Sequence, residues 1–374
     1  KLRVKLGIDP TSSDLHLGHA VVLRKLREFQ DLGSEAVLII GDFTAQIGDP
    51  SLRDKTRPPL SKKEIERNMK DYLDQASRII RISQSEIRYN SEWLGKLNGE
   101  KLLELLGLLS LQQIIERADF KARLTSHKSI QMHELMYPVM QAYDSVAVKA
   151  DVEIGGGDQL FNLIVGRSLM EKLGMKPQGI LTTELLEGTD GVKKMSKSLG
   201  NYIGITEEAG EMFGKIMSLP DKLIHKYFAL ATDLEEKEIK KLQKSLKPRD
   251  LKARLGLEVA KLYHRDEAAQ KAREDFDKLF SKKDFAKSDL KPLRLNRGVI
   301  LQAGDPKSQS GEISPLELVI SSGVTKSKSE ARRLIQQGGL SVNDEKCSDP
   351  SKAVYIKDGD SVKIGKHKFF RIKV

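Results

Sequence analysis

Hydrophobic and polar positions follow two rhythms along this chain, and the change between them divides it. In the first two hundred residues, short apolar runs suited to buried strands alternate with segments of helical period, as in a parallel sheet covered by helices. Arg3–Ile8 reads as a strand, Leu17–Asp31 as a helix ended by Gly33, and Ala36–Ile40 as a buried strand, together a βαβ start. Residues 61–80 read as helical, with Ser61 as N-cap and Glu64 three residues on at capping-box spacing. Val148–Ile154 suggests another strand, running into Gly155, Gly156 and Gly157, where the backbone turns tightly or approaches a ligand closely. The most apolar stretch, LLELLGLLSL at 102–111, is too short to cross a bilayer and reads as a buried helix.

From about residue 206 to 290 the strand signals vanish and apolar residues recur at helical spacing among many charges. Residues 296–312 contain GDPKSQSG, a polar linker composition. The segment from Ser314 reads as helix, loop, basic helix, a short strand after Gly338 and Gly339, and further short strands around Asp358 and Gly359. The expected organisation is therefore an α/β domain with a parallel sheet over 1–205, an α-helical domain over 206–295, a linker over 296–312 and a small α+β module over 313–374.

Composition narrows this picture. With 374 residues, 39% hydrophobic and 31% charged, the chain suits a soluble protein of two or three domains. Cys347 stands alone, which excludes an internal disulfide framework and a Cys-rich metal site. With no apolar segment at its start, the expectation is a cytoplasmic protein without a membrane span. The net charge is +11, yet residues 1–220 balance at 30 basic against 30 acidic, while 221–300 carry 21 against 14 and 311–374 carry 12 against 8. A neutral front and a basic back place chemistry at the front and a polyanion at the back; a merely Lys-rich surface is the alternative.

Three clusters carry candidate chemistry. Gly7-Ile8-Asp9-Pro10-Thr11 and His16-Leu17-Gly18-His19 fall where the first strand ends and the first helix begins, the place where an open α/β sheet binds phosphate. Two histidines three apart can both face a phosphate, and the glycine between them lets a flat group approach the backbone. A metal reading lacks further ligands nearby. Some 175 residues on, Lys194-Met195-Ser196-Lys197-Ser198 lies in a Gly-bounded loop. Its two ammonium groups can neutralise charge growing on a departing pyrophosphate; an ordinary basic loop or localisation signal is the alternative. Tyr137, Gln141 and Asp144 stand at i, i+4 and i+7, on one helix face. A carboxylate turned inward there wants a donor, and a phenolic hydroxyl is one; a surface helix with incidental polar residues is the alternative.

HLGH and KMSKS in this order resemble the HIGH and KMSKS signatures of class I aminoacyl-tRNA synthetases. The resemblance implies a Rossmann-type catalytic domain in which ATP and an amino acid form an aminoacyl adenylate before transfer to the tRNA 3′ end. Tyr137-x-x-x-Gln141-x-x-Asp144 and Gly155-Gly156-Gly157-Asp158-Gln159 are similar to segments of the tyrosyl-tRNA synthetases. By that resemblance Tyr137 and Gln141 hold the amino group of L-tyrosine, Asp144 its hydroxyl, Asp158 the adenylate ribose and Gln159 the amino acid. Asp49, in Gly48-Asp49-Pro50-Ser51, is a further candidate for the ammonium, and Arg53 and Arg57 match a mobile loop near the pyrophosphate.

His16, His19, Lys194, Lys197 and Ser198 would hold the phosphates, with Gly7, Asp9, Gly18 and Gly156 around the nucleotide. Mg²⁺ would accompany ATP without a dedicated protein metal site. The helical segment matches the family's anticodon-binding domain and 314–374 resembles an S4 RNA-binding module, so the implied partners are tyrosine, ATP, tRNA(Tyr) and a second subunit in a homodimer. In one departure, Lys5-Leu6 stands where many bacterial members carry a Tyr whose hydroxyl meets the substrate phenol. This Lys, with KMSKS in place of K-F-G-K-[ST], resembles the second bacterial subgroup and leaves the second partner of the substrate hydroxyl open. A tryptophan-specific sister enzyme and a catalytically silent RNA-binding protein on the same scaffold are the other readings.

The basic helix with Lys326, Lys328, Arg332 and Arg333 is placed against RNA phosphates. Changing Lys328 and Arg332 to Ala is expected to weaken tRNA binding and to lower its salt slope by roughly one to two units, measured by filter binding at several salt concentrations.

Overall fold

The computed structural model describes residues 1–10, 14–49, 61–280, 290–295, 310–325, 327–343, 345–365 and 368–373. It contains two compact units, Lys1–Ala269 and Gln270–Val374.

The first unit is built on β1 (Arg3–Ile8), α1 (Leu17–Asp31), β2 (Glu35–Ile40), the single turn α2 (Thr44–Ile47), α3 (Lys62–Ala76) and β3 (Ser85–Tyr89). Short helices α4 (Ser91–Leu94), α5 (Gly99–Gly107), α6 (Leu111–Ile115) and α7 (Ala118–Thr125) lead into the long α8 (Met132–Val148). β4 (Val152–Gly156), α9 (Leu160–Lys172) and β5 (Gly179–Thr183) complete the sheet, whose strand order is β3-β2-β1-β4-β5 with every pairing parallel. The strand order reverses between β1 and β4. Ligand crevices of open α/β sheets lie at the carboxyl ends of the strands at such a switch point.

The central strands are apolar because helices cover both faces: Val4, Val37, Leu38, Ile39 and Ile40 are fully buried. α1 buries Leu17, Ala20, Val21, Leu23 and Leu26, the stripe that its helical period requires. α3 starts at the capping box anticipated from Ser61 and Glu64, with Glu64 N–H donating to Ser61 Oγ at 3.3 Å. Two expectations shift. Val148 belongs to the end of α8, Lys149 turns through a left-handed φ of 51°, and the strand begins only at Val152. The 102–111 stretch is not one buried helix: α5 ends at Gly107, Leu105 is buried, and Leu103 and Leu111 are exposed.

After the sheet come α10 (Ala209–Met217), α11 (Ile224–Ala231), α12 (Glu236–Ser245), α13 (Pro248–Tyr263) and α14 (Asp266–Phe280). Helices α10 to α13 belong to the same compact unit as the sheet. Arg24 of α1 donates to Thr232 O at 2.7 Å and pairs with Asp233, and Tyr227 O–H donates to Glu187 O at 2.6 Å. The basic segment is thereby anchored beside the sheet.

The second unit is a separate α+β body. β6 (Lys291–Arg294), β7 (Ser310–Ile313), α15 (Pro315–Ser321), α16 (Lys328–Gln336), β8 (Leu340–Val342), β9 (Glu345–Lys346), β10 (Val354–Lys357), β11 (Ser361–Ile364) and β12 (Lys368–Lys373) follow in order. A five-stranded sheet runs β6-β12-β11-β8-β9, and β7 pairs with β10. β6 lies in the stretch read from sequence as helical: Leu293 and Leu295 join Ile313, Leu318, Ile335 and Ile372 in one core, which recruits that strand.

Close packing of α10 on α13 depends on Gly256, where a Cβ would stand 2.8 Å from the Phe213 ring. Gly256→Ala is expected to destabilise the first unit by roughly 1–3 kcal/mol through overpacking, read from chemical denaturation.

Candidate functional site

A cavity of about 460 Å³ opens at the carboxyl edge of the sheet, between the ends of β1 and β4. Gly7, Asp9, His16, Gly18, His19, Asp49, Tyr137, Gln141, Asp144, Gly156, Asp158, Gln159, Lys194, Lys197 and Ser198 all line it. Arg53, Arg57 and Lys326 lie outside the described residues.

The two signature motifs meet because the backbone pairs them. Leu17 N–H donates to Ile203 O at 3.0 Å and Ile205 N–H to Leu15 O at 3.1 Å, so the segment after KMSKS runs against the segment entering α1. His16 and Gly204 form a β-bridge. Asn201 fixes the loop base: Ser196 N–H donates to its Oδ1 at 2.8 Å and its Nδ2 donates to Asp190 at 2.8 Å. Met195 is buried, 3.7 Å from where a Gly18 Cβ would lie.

Gly18 serves a need different from the one read in sequence. The His16 ring folds over it, with two ring atoms 3.1 Å from the place of a Cβ, so the glycine admits the histidine. The His16 and His19 rings stack at 3.9 Å between centroids, and His16 N–H donates to His19 Nδ1 at 3.3 Å. Burial, then the neighbouring His19 and Lys194, pulls His16 down to about 2; burial, then Lys194, pulls His19 down to about 4. Both are neutral at physiological pH and would meet a phosphate as hydrogen-bond donors, not as cations.

The cationic groups are in the loop, and carboxylates hold them. Lys194 donates to Asp158 Oδ2 at 2.8 Å, Lys197 pairs with Asp14, and the Ser196 and Ser198 hydroxyls stand 2.9 Å apart. Asp158, expected to meet a ribose, is therefore bound to a lysine of the second motif in this conformation.

The amino-acid end of the cavity is carboxylate-rich. Tyr137 O–H donates to Asp9 Oδ2 at 2.9 Å, and Thr44 donates to Asp9 Oδ1 at 2.7 Å. Asp49 accepts from Arg117 at 2.9 Å and from Gln159 Nε2 at 2.8 Å. Gln141 Oε1 is buried without a hydrogen-bond partner among the described residues, an acceptor ready for a donor in the cavity. Asp144, 3% exposed, accepts from Trp93 Nε1 at 2.8 Å and Asn90 Nδ2 at 3.3 Å. Burial drives both Asp9 and Asp144 up to about 7; hydrogen bonds from Thr44 to the former, and Lys5 with Trp93 to the latter, oppose it.

Sequence reasoning missed Arg117, Trp93, Asn90, Thr44 and Asn201. Trp93 is the chain's single tryptophan and follows Asn90 by three residues just past a strand end, which was a usable signal. Arg117 gave none, since it stands among charges that read as surface. Lys5 does not line the cavity; its neighbour Leu6 does. Among the described residues no group of three His, Cys, Asp or Glu is arranged to hold a metal ion, and no helix is long and apolar enough to cross a membrane. α16 exposes Lys328, Arg332 and Arg333 and buries Ala331 and Ile335, an amphipathic helix with an open basic face.

A parallel sheet with two phosphate-suited motifs joined at its switch point is the architecture of a nucleotide-binding domain. The family model for class I tRNA synthetases (W and Y) matches residues 1–281 and the S4 domain model matches 315–359, and the chain belongs to this synthetase family. Among specific relatives, the tyrosine–tRNA ligase of Aquifex aeolicus is 45% identical over 371 residues, covering 99% of this chain and 91% of that one. The tyrosine–tRNA ligase of Thermotoga maritima is 47% identical over 378 residues, covering 100% and 90%. A tyrosyl-tRNA synthetase structure from Archaeoglobus fulgidus, complexed with L-tyrosine, superposes at a TM-score of 0.56 with 22% identity over 73% of this chain and 90% of that one, a likeness of fold.

The raised carboxyls make unliganded stability depend on pH. A folded pKa near 7 against 3.8 unfolded means the native state holds the proton more tightly, so stability is full below about 4 and declines as pH rises through 7. Asp144→Asn is expected to remove one such decline, at most on the order of 4 kcal/mol, so the variant gains more on the wild type at pH 8 than at pH 5 in ligand-free thermal melts.

Proposed function

We propose that the chain is a tyrosine–tRNA ligase that activates L-tyrosine with ATP, releases pyrophosphate, and transfers the tyrosyl group to the 3′ end of tRNA(Tyr). The observation that carries the substrate assignment is Asp144, a buried carboxylate held by Trp93 and Asn90 in the same cavity as HLGH and KMSKS. Buried at the edge of the cavity, it calls for a donor on the ligand, and a site built to bond a hydroxyl rejects the analogue lacking it by roughly 10⁴ to 10⁵.

The tyrosine carboxylate is already a nucleophile toward the α-phosphate, so no general base is needed. Positioning and charge stabilisation supply the rate. Tyr137 O–H donates its hydrogen bond to Asp9, which leaves the phenol oxygen to accept from the substrate ammonium together with Gln141 Oε1; Asp49 and Gln159 lie close by as a bonded pair. His16 and His19 donate to phosphate as neutral rings. Lys194, Lys197 and Ser198 follow the β- and γ-phosphates as charge develops, with Arg53 and Arg57 assigned to the same task by motif alone. Gly7, Gly18, Gly156 and Asp158 receive the nucleoside, and Mg²⁺ travels with the ATP phosphates.

The domain reading keeps a catalytic sheet domain, a helical anticodon-binding segment and an S4-like module whose α16 carries Lys328, Arg332 and Arg333 toward RNA. A cytoplasmic homodimer is part of the proposal.

The test is ATP–pyrophosphate exchange with tyrosine, phenylalanine and tryptophan on the wild type and on Asp144→Ala. Exchange with tyrosine alone, reduced at least a hundredfold in the variant, is expected (about 3 kcal/mol or more). Tryptophan winning would move the assignment to the sister specificity, and no exchange at all would leave the silent RNA-binding scaffold.

A further inference from the structure

Lys5 lies in the middle of β1 with 0% exposure, and all three of its ammonium protons are engaged within the protein. They go to Glu153 Oε1 at 2.8 Å, Ser145 Oγ at 2.8 Å and the Gln141 carbonyl at 3.1 Å. None is left for a ligand, so Lys5 does not stand in for a hydroxyl-binding tyrosine by direct contact. Its partner Glu153, on β4, also accepts from Ser145 at 3.0 Å and from Gln178 at 2.5 Å. Gly166 of α9 leaves room for this knot: a Cβ there would stand 3.0 Å from Gln178 Nε2, 3.2 Å from Ser145 Oγ and 3.3 Å from Glu153 Oε2.

The contacts converge on one turn of α8, from Gln141 to Ser145, and that turn also carries Asp144. A buried ion pair is a weak stabiliser, since apolar replacements are commonly as stable, so its presence under a binding surface asks for another reason. We propose that Lys5 and Glu153 are positioning residues for substrate selection: the pair fixes the turn that presents Gln141 and Asp144, and Lys5 supplies the positive charge against which Asp144 reads the substrate hydroxyl. The inference rests on the tyrosine-activating reading and deepens it.

The groups facing Asp144 are Lys5 from β1, Asp9 just past the end of that strand, Glu153 from β4, Trp93 from α4 and Asn90 just before it. Lys5, Trp93 and Asn90 favour its charged form; burial and Glu153 oppose it. The two members of the pair therefore act on the Asp144 charge with opposite signs, while both act on the placement of α8 with the same sign. A protonated Asp144 no longer demands a donor, and discrimination against phenylalanine falls.

The experiment measures tyrosine- and phenylalanine-dependent ATP–pyrophosphate exchange from about pH 6 to 9 on the full chain, for wild type, Lys5→Met, Glu153→Gln and the double variant. The ratio of kcat/KM for tyrosine to that for phenylalanine isolates hydroxyl reading, because the titration of Asp9 bears on both substrates. Lys5→Met is expected to lower this ratio about tenfold or more at neutral pH and to move its acid limb to higher pH. Glu153→Gln is expected to move that limb to lower pH, the double variant to fall between them, and KM for ATP to stay unchanged in all three. Limbs displaced in the same direction by both single variants, or a ratio like that of the wild type, would overturn the proposal. Should Lys5→Met fail to fold, the direction in Glu153→Gln decides alone: downward supports it, upward or unmoved sinks it. Wild-type protein without tyrosine exchange would remove the functional reading itself, whereas normal exchange with unaltered variant ratios removes this inference only.

Discussion

Burying carboxylates beside one another is the constraint on which the site depends. Asp9, Asp49, Asp144 and Glu153 all line one cavity at the switch point of the sheet. Two buried cations answer two of them: Arg117 pairs with Asp49 and Lys5 with Glu153. The side-chain bonds recorded for Asp9 and Asp144 come from neutral donors, Thr44 and Tyr137 for the first, Trp93 and Asn90 for the second, and these are the two carboxyls that burial drives up. Neutral donors orient a carboxylate without cancelling its charge. An amino acid carrying both an ammonium and a phenol supplies what the protein withholds at each end, so affinity and selectivity arise from the same electrostatic deficit.

The opposite end of the cavity solves a problem of distance along the chain. HLGH and KMSKS are separated by some 175 residues, so the fold has to bring them into register. Backbone pairing of Leu15 and Leu17 with Ile203 and Ile205 does so, and the buried Met195 packs beneath Gly18. Asn201 then ties the loop base through both ends of its amide.

Periodicity made the sheet legible, because strands covered on both faces are continuous apolar runs and α1 carries a clear stripe. The β1 and α1 limits match the reading from sequence. The onset of β4 did not, since Val148 is apolar in either element and the left-handed turn at Lys149 leaves no compositional mark. Strand β6 was hidden for another reason: four residues, Lys291–Arg294, are too few to show a period, and pairing with β12 decides their conformation. In the site, side chains that touch the ligand pocket came as motifs, whereas their supports did not. Thr44, the Asn90–Trp93 stretch and Arg117 lie on three separate parts of the chain, and only the fold brings them to Asp9, Asp144 and Asp49. Lys5 was visible as a departure from the family pattern, but its engagement with Glu153 required the geometry.

On the proposed assignment, charge at this end of the cavity is distributed so that nucleotide binding would release the loop cations. His16 and His19 are kept neutral by burial and by the nearby Lys194, so they offer directional N–H bonds without attracting phosphate from a distance. The loop lysines are the positive charges here, and Asp158 and Asp14 hold them. On the proposed assignment the ribose and Lys194 compete for the same carboxylate, Asp158. A nucleotide that takes Asp158 displaces the lysine toward the only anions that have arrived with it, its phosphates. With the backbone bonded at Met195 and at Asn201, such a displacement would need only the lysine side chain to turn, and on this assignment it would bring positive charge to the pyrophosphate as negative charge accumulates there.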